Sequence, residues 1–579
     1  MIKIFFSLKK LGKNFIQILQ NEDRKEFIII ITLLFIGAFF ELLGLGLILP
    51  TLTILISENS GVYENFFKSN GINFINKDNI IYYFLSALIV VYFIKTVFML
   101  FIKYKNYKFT FDLNKKISNR IYKSYFNKDF LFHVRNNSSV LVRNVLSETA
   151  LFTTGFLQSL ISLMIESLII IFIFIFLIVA YPTITIILLL SFSLIVFTYV
   201  KIVRKKINYL ANKRIKLEAL RFQSVFQGFN GIKEILVQNK KDFFLESFFE
   251  KNLILNKINR KTGFLSQIPN LGLEFFTIII FCSITIVLTN TTKDNDTLII
   301  ILGIYTAAIF KILPSISRII VSIQSIIYSK PSIEILKDVL KDESFNQKIN
   351  IEKIYLNQKI ELVDIIFNFK KNQASELKIK RLIIPKNKTT GIFGNSGAGK
   401  STIINILLGL IRPKKGAVIV DGNLVDNFEK FRNNLGYVPQ DVYLLNDTVK
   451  ANIAFGVEEN QVDIERIKEC CKLAKIDSFI EKLEFKYNSL IGERGLDVSG
   501  GEKQRLGIAR ALYHDPEILI LDESTSALDE ITELNILDDL NELKSKKTII
   551  MITHKKKIIK KYCENVYRVE KGQVNILDE

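Results

Sequence analysis

The stretch Thr390-Gly-Ile-Phe-Gly-Asn-Ser-Gly-Ala-Gly-Lys-Ser401 joins a short apolar segment to a glycine-rich loop. From Gly394 onward it fits the pattern G-x-x-x-x-G-K-[ST], placed between a predicted strand and a predicted helix, which is the context that confirms this pattern. Glycines let backbone N–H groups close around phosphate oxygens, and the N-terminus of the following helix adds partial positive charge. The stretch therefore predicts a nucleotide-binding site in an α/β domain.

The polar residues of this loop have distinct predicted roles. We expect Lys400 to reach the β- and γ-phosphates of ATP, and Ser401 to ligate Mg²⁺. The loop residues expected to contact ATP are Gly394, Asn395, Ser396, Gly397, Ala398, Gly399, Lys400, Ser401 and Thr402.

A second apolar segment, residues 518–521, ends in the carboxylate pair Asp522 and Glu523. Asp522 is suited to the Mg²⁺ shell, directly or through water. Glu523 is placed to polarise the attacking water as general base. A carboxylate pair at this position could also be a solvated strand end, an interpretation that the neighbouring motifs disfavour. Hydrolysis of ATP is therefore predicted.

The N-terminal half of the chain has a different character. Of the 579 residues, 49% are hydrophobic, and the mean hydropathy is +0.27. About 20 apolar residues span a bilayer, and six runs qualify. They are residues 27–56, 80–102, 157–181, 183–203, 268–288 and 298–327.

The formal charge of +20 is concentrated between these apolar runs. This distribution is the positive-inside pattern of cytoplasmic loops and argues against a nucleic-acid partner. The long basic stretches 103–156 and 204–262 both fall on the N-terminal side of the membrane and show helical periodicity. We expect membrane helices to continue there into the cytoplasm, with tips that dock on the ATPase domain; free cytoplasmic loops are the alternative.

These observations predict three parts. An all-α transmembrane domain with six spans and cytoplasmic helical extensions occupies residues 1–330. A linker follows over residues 331–353, and an α/β nucleotide-binding domain over residues 354–579.

Four further motifs surround the carboxylate pair. They are Tyr437-Val-Pro-Gln440, Ser499-Gly-Gly-Glu-Lys-Gln-Arg505, Ser526-Ala-Leu-Asp529 and Ile552-Thr-His554. In this order they resemble the Q-loop, signature, D-loop and switch histidine of ABC-type ATPases. The resemblance implies a P-loop NTPase of the ABC type, with ATP as substrate and Mg²⁺ as cofactor.

The resemblance also assigns roles by position. Gln440 would sense Mg²⁺ and touch the transmembrane domain, and His554 would contact the γ-phosphate. The implied catalytic residues are Glu523, His554, Lys400 and Gln440, and the implied metal ligands are Ser401, Gln440 and Asp522. The implied ATP contacts beyond the loop are Phe369, Gln440, Ser499, Gly500, Gly501, Glu502 and Asp529.

Two positions depart from the family pattern. Glu502 stands where glutamine is commonest, a variant that leaves hydrolysis expected. Phe369 stands where tyrosine usually stacks on adenine, and its ring still offers a π-face.

In the ABC family, the signature of one ATPase domain covers ATP bound to the phosphate loop of another. This chain has one of each, so we expect a homodimer with twelve spans and two composite ATP sites. A heterodimer with a related half-transporter is the alternative.

Six spans followed by one ATPase domain resemble ABC exporters of the MsbA-like type over essentially the whole chain. Within that group, the membrane half looks most like the PglK-type flippase of lipid-linked oligosaccharides. The stretches that carry this similarity are Phe40-Glu41 with Leu49-Pro50, Ile94-Lys95, and Lys311-Ile-Leu-Pro-Ser-Ile-Ser-Arg-Ile-Ile320.

Three basic residues, Lys95, Lys311 and Arg318, lie well inside predicted spans rather than at their ends. Each would cost roughly 2.5–3.5 kcal/mol if it faced lipid at mid-depth. We therefore expect them to bind an anionic headgroup such as pyrophosphate in a water-filled cavity. Pairing with intramembrane carboxylates is the structural alternative, and for Arg318 snorkelling is a second one. The carboxylates concerned are Glu41, Glu166 and Glu274.

Other functions fit the sequence less well. A general lipid A or multidrug exporter is the nearest alternative. We do not expect a peptide exporter with a fused protease or a non-transporting regulator, because each would need an extra domain that the sequence does not show. An importer is also disfavoured, because importers usually carry the membrane and ATPase parts on separate chains. The predicted location is a bacterial inner membrane with the ATPase domain in the cytoplasm.

Overall fold

The structure is a computed structural model that describes residues 12–56, 80–291, 295–341, 352–368, 376–492, 498–525, 528–542 and 546–577. It consists of two compact units. One comprises residues 1–128 and 133–345, and the other comprises residues 129–132 and 346–579.

The first unit is helical. Its described helices include α1 (Asn21–Ile56), α2 (Ile80–Phe126), α3 (Phe130–Arg135, of which residues 130–132 belong to the second unit), α4 (Ser138–Arg143), α5 (Gln158–Ala180), α6 (Pro182–Asn230), α7 (Ile232–Val237), α8 (Lys241–Thr291) and α9 (Asn295–Leu340). Two π-helical segments, Asn144–Glu148 and Leu151–Leu157, lie between α4 and α5. Six helices are long and apolar enough to cross a membrane, which confirms the predicted number of spans.

Four of these helices are much longer than a bilayer requires. Helices α2, α6, α8 and α9 contain 47, 49, 51 and 46 residues. At about 1.5 Å per residue each is roughly 70 Å long, against about 30 Å for the hydrocarbon core. The apolar runs therefore continue as helices into the basic stretches, as the periodicity predicts.

A buried ionic cluster joins α4, the first π-helical segment, α6 and α9. The Glu148 carboxylate is fully buried, lies 2.9 Å from Nη2 of Arg214 and 3.6 Å from Nε of Arg143, and accepts a 2.5 Å hydrogen bond from Ser332. These residues come from the π-helical segment, α4, α6 and α9. Because an unpaired buried charge is strongly unfavourable, the cluster fixes how these elements pack together.

The second unit is an α/β domain. Its strands are β1 (Lys359–Phe367), β2 (Leu377–Pro385), β3 (Thr389–Gly394), β4 (Lys415–Val420), β5 (Asn423–Leu424), β6 (Leu435–Val438), β7 (Asp447–Thr448), β8 (Leu490–Ile491), β9 (Ile518–Asp522), β10 (Thr548–Ile552), β11 (Asn565–Glu570) and β12 (Gln573–Ile576). Its α-helices are α10 (Lys400–Leu407), α11 (Phe428–Arg432), α12 (Val449–Ile453), α13 (Ile464–Leu473), α14 (Asp477–Glu481), α15 (Gly500–Tyr513), α16 (Glu530–Glu542) and α17 (Lys556–Tyr562).

Ten of these strands form one sheet in the order β5-β4-β1-β2-β12-β11-β3-β10-β9-β6. Strands β3, β10, β9 and β6 are mutually parallel, and β11 runs parallel to β3. Along β9, Ile518 and Ile520 belong to one apolar core while Leu519 and Leu521 belong to another. Alternate residues of a strand point to opposite faces, so the central strands are covered on both sides. The predicted fold class, helical membrane domain followed by α/β ATPase domain, is confirmed.

Candidate functional site

The phosphate-binding loop connects β3 to α10. Gly397 and Gly399 have φ angles of +79° and +112°, which glycine adopts readily and other residues do not. A Cβ atom on Gly394 would lie 2.3 Å from the carbonyl oxygen of Val569 on the adjacent strand β11. Residues 395–397 at the tip of the loop are exposed. The loop is therefore a close-packed backbone cradle whose tip faces outward.

Lys400, the first residue of α10, folds back across this loop. Its ammonium donates to the carbonyl oxygens of Gly394 at 2.8 Å and Asn395 at 3.2 Å. It also lies 3.6 Å from Oε1 of Glu523, and its side chain is only 9% exposed. The charge is thus held above the loop, next to the predicted general base.

Asp522 and Glu523 lie at the carboxyl end of β9, between β6 and β10. The N–H of Glu523 donates to the carbonyl oxygen of Ile552 at 2.9 Å, and Glu523 has a φ angle of +46°. This local turn directs the chain away from the sheet directly after the carboxylate pair. Both carboxylates consequently sit at the edge to which the phosphate loop also belongs.

Tyr437 on β6 contacts Asp522 across the sheet. Its hydroxyl lies 3.4 Å from Oδ2 of the carboxylate. Burial and the Asp522 charge raise the pKa of Tyr437 to about 12, so the phenol stays a proton donor. Burial and the neighbouring Glu523 charge raise the pKa of Asp522. An anionic Asp522 is therefore electrostatically unfavourable here unless a cation is close.

The other two predicted catalytic residues converge on Glu523. The side-chain amide of Gln440 donates to Oε2 of Glu523 at 3.1 Å. The imidazole Nδ1 of His554 lies 3.9 Å from the same oxygen, and the histidine side chain is 60% exposed. Together with Lys400, these groups bring the predicted catalytic set to within 4 Å of one carboxylate.

The residues present fit ATP and Mg²⁺. The loop backbone offers N–H groups to phosphate, and Lys400 supplies positive charge. Ser401 and Asp522 would hold Mg²⁺, which binds proteins through one or two carboxylates together with substrate phosphates. Within the described part of the chain, no group of three or more His, Cys, Asp or Glu residues forms an all-protein metal site.

The signature segment begins helix α15. Ser499 is its N-cap, and the Glu502 carboxylate accepts hydrogen bonds from the backbone N–H and the hydroxyl of Ser499 at 2.7 and 2.8 Å. Glu502 therefore completes a capping box, a role that glutamine at this position could also fill. Ser499 and Gly500 are exposed.

Asp529 precedes α16 in the same way. Its carboxylate accepts from the N–H of Thr532 at 2.9 Å, and this hydrogen bond lowers its pKa. Among the described residues, no hydrogen bond or ion pair joins Ser499, Glu502 or Asp529 to the phosphate loop of the same chain. Phe369, the predicted adenine-stacking residue, lies outside the described residues, as do Ser526 and Ala527 of the D-loop motif.

The three predicted substrate residues are paired with acids in the first unit. Glu41 on α1 lies 2.7 Å from Nζ of Lys95 and 3.0 Å from Nζ of Lys311. Glu166 on α5 lies 2.5 Å from Nε of Arg318. The side chains of Lys95, Lys311 and Arg318 are 9%, 34% and 54% exposed. The structure thus shows the pairing alternative for all three, and it leaves Lys311 and Arg318 accessible while Lys95 is enclosed.

A cavity of about 850 Å³ lies among α1, α2, α5, α8 and α9. Glu41, Glu166 and Arg318 line it, together with neutral polar side chains such as Gln158 and Ser162. Of the three predicted substrate residues, Arg318 alone is in the cavity wall as far as the described chain shows. Glu274 is exposed on α8 and makes no ion pair with any described residue.

Comparison with known proteins agrees with both units. A family model described as "ABC transporter" matches residues 377–526. A second model, "ABC transporter transmembrane region", matches residues 15–316, more than half of the chain. The chain belongs to the ABC transporter family.

Individual relatives of this ABC transporter match over part of their length. An ATP-dependent lipid A-core flippase of Saccharophagus degradans is 31% identical over 376 residues, which is 62% of each protein. ABC transporter B family member 29, chloroplastic, of Arabidopsis thaliana is 36% identical over 255 residues, 43% of this chain and 40% of that protein. The matched stretch therefore covers less than two thirds of either relative.

A solved structure matches almost the whole ABC transporter chain. A bacterial Atm1-family ABC exporter with ATP bound superimposes with a TM-score of 0.78, covering 96% of this chain and 95% of the other at 18% identity. At this identity the likeness establishes the fold.

Sequence reasoning did not assign a contact to Tyr437, although it lies within a recognised motif. Tyr437 pairs with Ile520 in the parallel β6–β9 register, and this register brings its ring beside the strand end. Nor did it single out Lys555 and Glu533, which form a 2.7 Å ion pair directly behind His554. A lysine next to the motif histidine was the available signal, but its partner lies on a different element.

Proposed function

We propose that this protein is an ATP-driven exporter that couples ATP hydrolysis to movement of an anionic amphiphile across a membrane. The observation that carries the ATPase part is the convergence on Glu523 of Lys400 at 3.6 Å, Gln440 at 3.1 Å and His554 at 3.9 Å. The part concerning transport rests on the six apolar helices of the first unit.

In the proposed reaction, water attacks the γ-phosphorus of ATP, the bond to the β-phosphate oxygen breaks, and ADP and phosphate leave. Glu523 accepts the proton of the attacking water. Lys400 stabilises charge on the phosphates, and Gln440 and His554 orient the water and the γ-phosphate. Mg²⁺, when bound with ATP, neutralises charge on the phosphate oxygens.

We propose that the working unit is a homodimer. The exposed Ser499 and Gly500, together with the exposed tip of the phosphate loop, leave the two halves of an ATP site open on one chain. In the dimer, the signature segment of one copy would cover ATP bound to the phosphate loop of the other. Phe369 would stack on the adenine. The proposed division is residues 1–330 for the transmembrane domain, 331–353 for the linker and 354–579 for the ATPase domain.

The charge arrangement supports an anionic substrate. Lys95 and Lys311 share one carboxylate, Glu41, so this group of three carries one excess positive charge. Because Lys95 is 9% exposed and lies 4.6 Å from the Tyr92 ring centroid, we assign it to holding Glu41. Of the three predicted substrate residues, Lys311 and Arg318 are the accessible ones, and Lys103 is a further exposed cation in the cavity wall. An arginine can still offer N–H groups to phosphate beside its carboxylate partner.

The substrate that we propose is a lipid-linked pyrophosphate oligosaccharide. The neutral polar side chains in the cavity wall suit hydroxyl groups, and Arg318 suits phosphate. A lipid A or multidrug-type substrate is the second candidate, favoured by similarity to ATP-dependent lipid A-core flippases of Saccharophagus degradans and Vibrio cholerae. The proposed location is a bacterial inner membrane.

The proposed transport mechanism is alternating access. Closure of two ATPase domains around ATP is transmitted through the helical extensions in residues 103–156 and 204–262, and the cavity opens outward. Hydrolysis resets the transporter. The Glu148 cluster would keep these extensions moving as one body.

The decisive experiment is ATP-dependent translocation of a fluorescent polyprenyl-pyrophosphate oligosaccharide in proteoliposomes. Glu523→Gln is the blank. The double variant Lys311→Ala/Arg318→Ala tests the accessible charges. Lys330→Ala is the matched control, because Lys330 lies on the same helix α9 in a more exposed ion pair. We expect the double variant to lose translocation and retain basal ATP hydrolysis.

Each outcome decides something. Movement by the wild type alone supports the oligosaccharide flippase. Intact ATP hydrolysis without movement of this probe rejects that substrate and turns the assay to lipid A, whose stimulation of hydrolysis then tests the second candidate. Undiminished translocation by the double variant contradicts the role of the two cations.

A further inference from the structure

Directly after His554, the side chain of Lys555 reaches helix α16. Its ammonium lies 2.7 Å from Oε2 of Glu533. The Glu533 side chain is 3% exposed and that of Lys555 is 34% exposed, so the carboxylate is closed off from water while the lysine is partly exposed. Oε1 of Glu533 has no hydrogen-bond partner. Among the described residues Lys555 is therefore the one cation paired with this buried carboxylate.

Both ends of this ion pair are tied by backbone hydrogen bonds to the predicted ATP site. The N–H of Glu533 donates to the carbonyl oxygen of Asp529 at 2.9 Å. The N–H of Lys555 donates to the hydroxyl of Thr553 at 3.1 Å. The pair therefore connects the segment that carries His554 with the segment that carries Asp529.

His554 itself has little to hold its ring in place. Its side chain is 60% exposed, and its Nδ1 lies 3.9 Å from Oε2 of Glu523, too far for a hydrogen bond. The position of an imidazole without enclosing side chains depends on the backbone that bears it. That backbone is anchored on one side by β10 and on the other by Lys555.

We infer that Lys555 and Glu533 form a positioning pair that sets His554 relative to the Asp529 segment during ATP hydrolysis. This inference rests on the proposed ATPase function. A buried carboxylate binds its cation tightly because the unpaired state is strongly unfavourable. Movement of the Asp529 segment would therefore carry the His554 segment with it. His554 would reach its working position only when both segments are in place.

The chain contains a matched control for this ion pair. Lys561 on α17 lies 3.4 Å from Asp538 on α16, and their side chains are 54% and 52% exposed. This second pair joins α17 to α16, but it is solvated, and Lys561 lies seven residues beyond His554 rather than next to it. Exposed pairs contribute little to stability or geometry.

The experiment measures kcat and KM for ATP on the full-length protein in lipid nanodiscs. Turnover is expressed per site competent to bind a fluorescent ATP analogue, so that unfolded protein does not count. The variants are Lys555→Met, Lys555→Arg, Glu533→Gln, the double variant Glu533→Gln/Lys555→Met, and Lys561→Met as control.

We expect Lys555→Met to lower kcat about ten-fold with KM changed less than about two-fold, because displacing a positioned group by 1 Å can cost about 100-fold. Lys555→Arg should restore most of the turnover. The double variant should be no slower than the slower single variant, since both changes remove the same link. Lys561→Met should match the wild type.

Equal kcat values for Lys555→Met and Lys561→Met would overturn the inference. So would a lower melting temperature with unchanged kcat per competent site, which would show a purely structural pair. A wild type that does not hydrolyse ATP, or a Glu523→Gln variant that hydrolyses it normally, would instead refute the proposed ATPase function.

Discussion

Replacing Glu523 with glutamine changes the charge at the centre of the ATP site while keeping the side chain's shape. The wild-type carboxylate accepts from Gln440 at 3.1 Å and lies 3.6 Å from the Lys400 ammonium. Glutamine can keep an oxygen toward either neighbour, but it cannot accept a proton from water. The variant should therefore fold, bind ATP and fail at the chemical step.

The size of both effects follows from the structure. Loss of a general base lowers turnover by about 100- to 10,000-fold, so residual activity should be about 1% or less. The Lys400–Glu523 attraction at 3.6 Å is about 4–5 kcal/mol at an effective dielectric constant of about 20. Glutamine removes this attraction, so Lys400 is freer to bind phosphate. Because solvation offsets most of the attraction, we expect the free energy of ATP binding to become more favourable by about 1 kcal/mol. ATP should then bind about five-fold more tightly.

Phosphate release measures the turnover, and titration with a fluorescent ATP analogue measures the affinity. Glu465→Gln is the control, because Glu465 is an 80% exposed carboxylate paired with Lys468 outside the site. ATP-dependent dimer closure, followed by cross-linking, should persist in Glu523→Gln. Turnover above about 10% of the wild-type value would refute the general-base role, since a lost base costs at least about 100-fold.

Two further predictions concern buried carboxylates. Burial and the Glu523 charge raise the pKa of Asp522, so the folded state favours its protonated form and loses stability as pH rises through that pKa. Asp522→Asn should therefore raise the melting temperature at pH 7.5, and this gain should shrink toward acid pH. The same variant should abolish Mg²⁺-dependent hydrolysis. An unchanged or lower melting temperature at pH 7.5 would contradict the argument. Glu148→Gln leaves Arg214 facing a neutral group at 2.9 Å, while Glu218 at 2.8 Å still pairs with it. Because Arg214 keeps one carboxylate partner, the variant should destabilise the protein by about 1–3 kcal/mol, measured by thermal unfolding in nanodiscs. Adding Glu218→Gln removes that partner too and should lower the melting temperature further; a double variant as stable as Glu148→Gln would show that these carboxylates do not hold Arg214.

Local patterns in the sequence were sufficient for the architecture. Six apolar runs predict six long helices, and periodicity places helix in the basic stretches between them. A glycine-rich loop between an apolar strand and a helix predicts the phosphate cradle, and the strand ending in Asp522 and Glu523 predicts carboxylates at the same sheet edge. These conclusions depend on residues close in sequence, whose spacing determines their geometry directly.

The partners of charged residues depended on tertiary structure. The sequence showed three cations and three carboxylates well inside the spans, but which of them pair depends on the depth and rotation of separate helices. Lys95 and Lys311 share Glu41, Arg318 pairs with Glu166, and Glu274 remains exposed. Pairing therefore reduces the positive charge that the sequence suggested. The group of Lys95, Lys311 and Glu41 keeps one excess positive charge, and Lys95 is enclosed.

The same division applies to the ATP site. Sequence alone predicted which residues belong to it, because each lies in a motif whose order and spacing are specific. Only the fold decided that Tyr437 meets Asp522 and that Lys555 reaches Glu533. The physical reason is that a hydrogen bond or ion pair requires atoms within about 3–4 Å, and between separate elements only their packing creates that proximity.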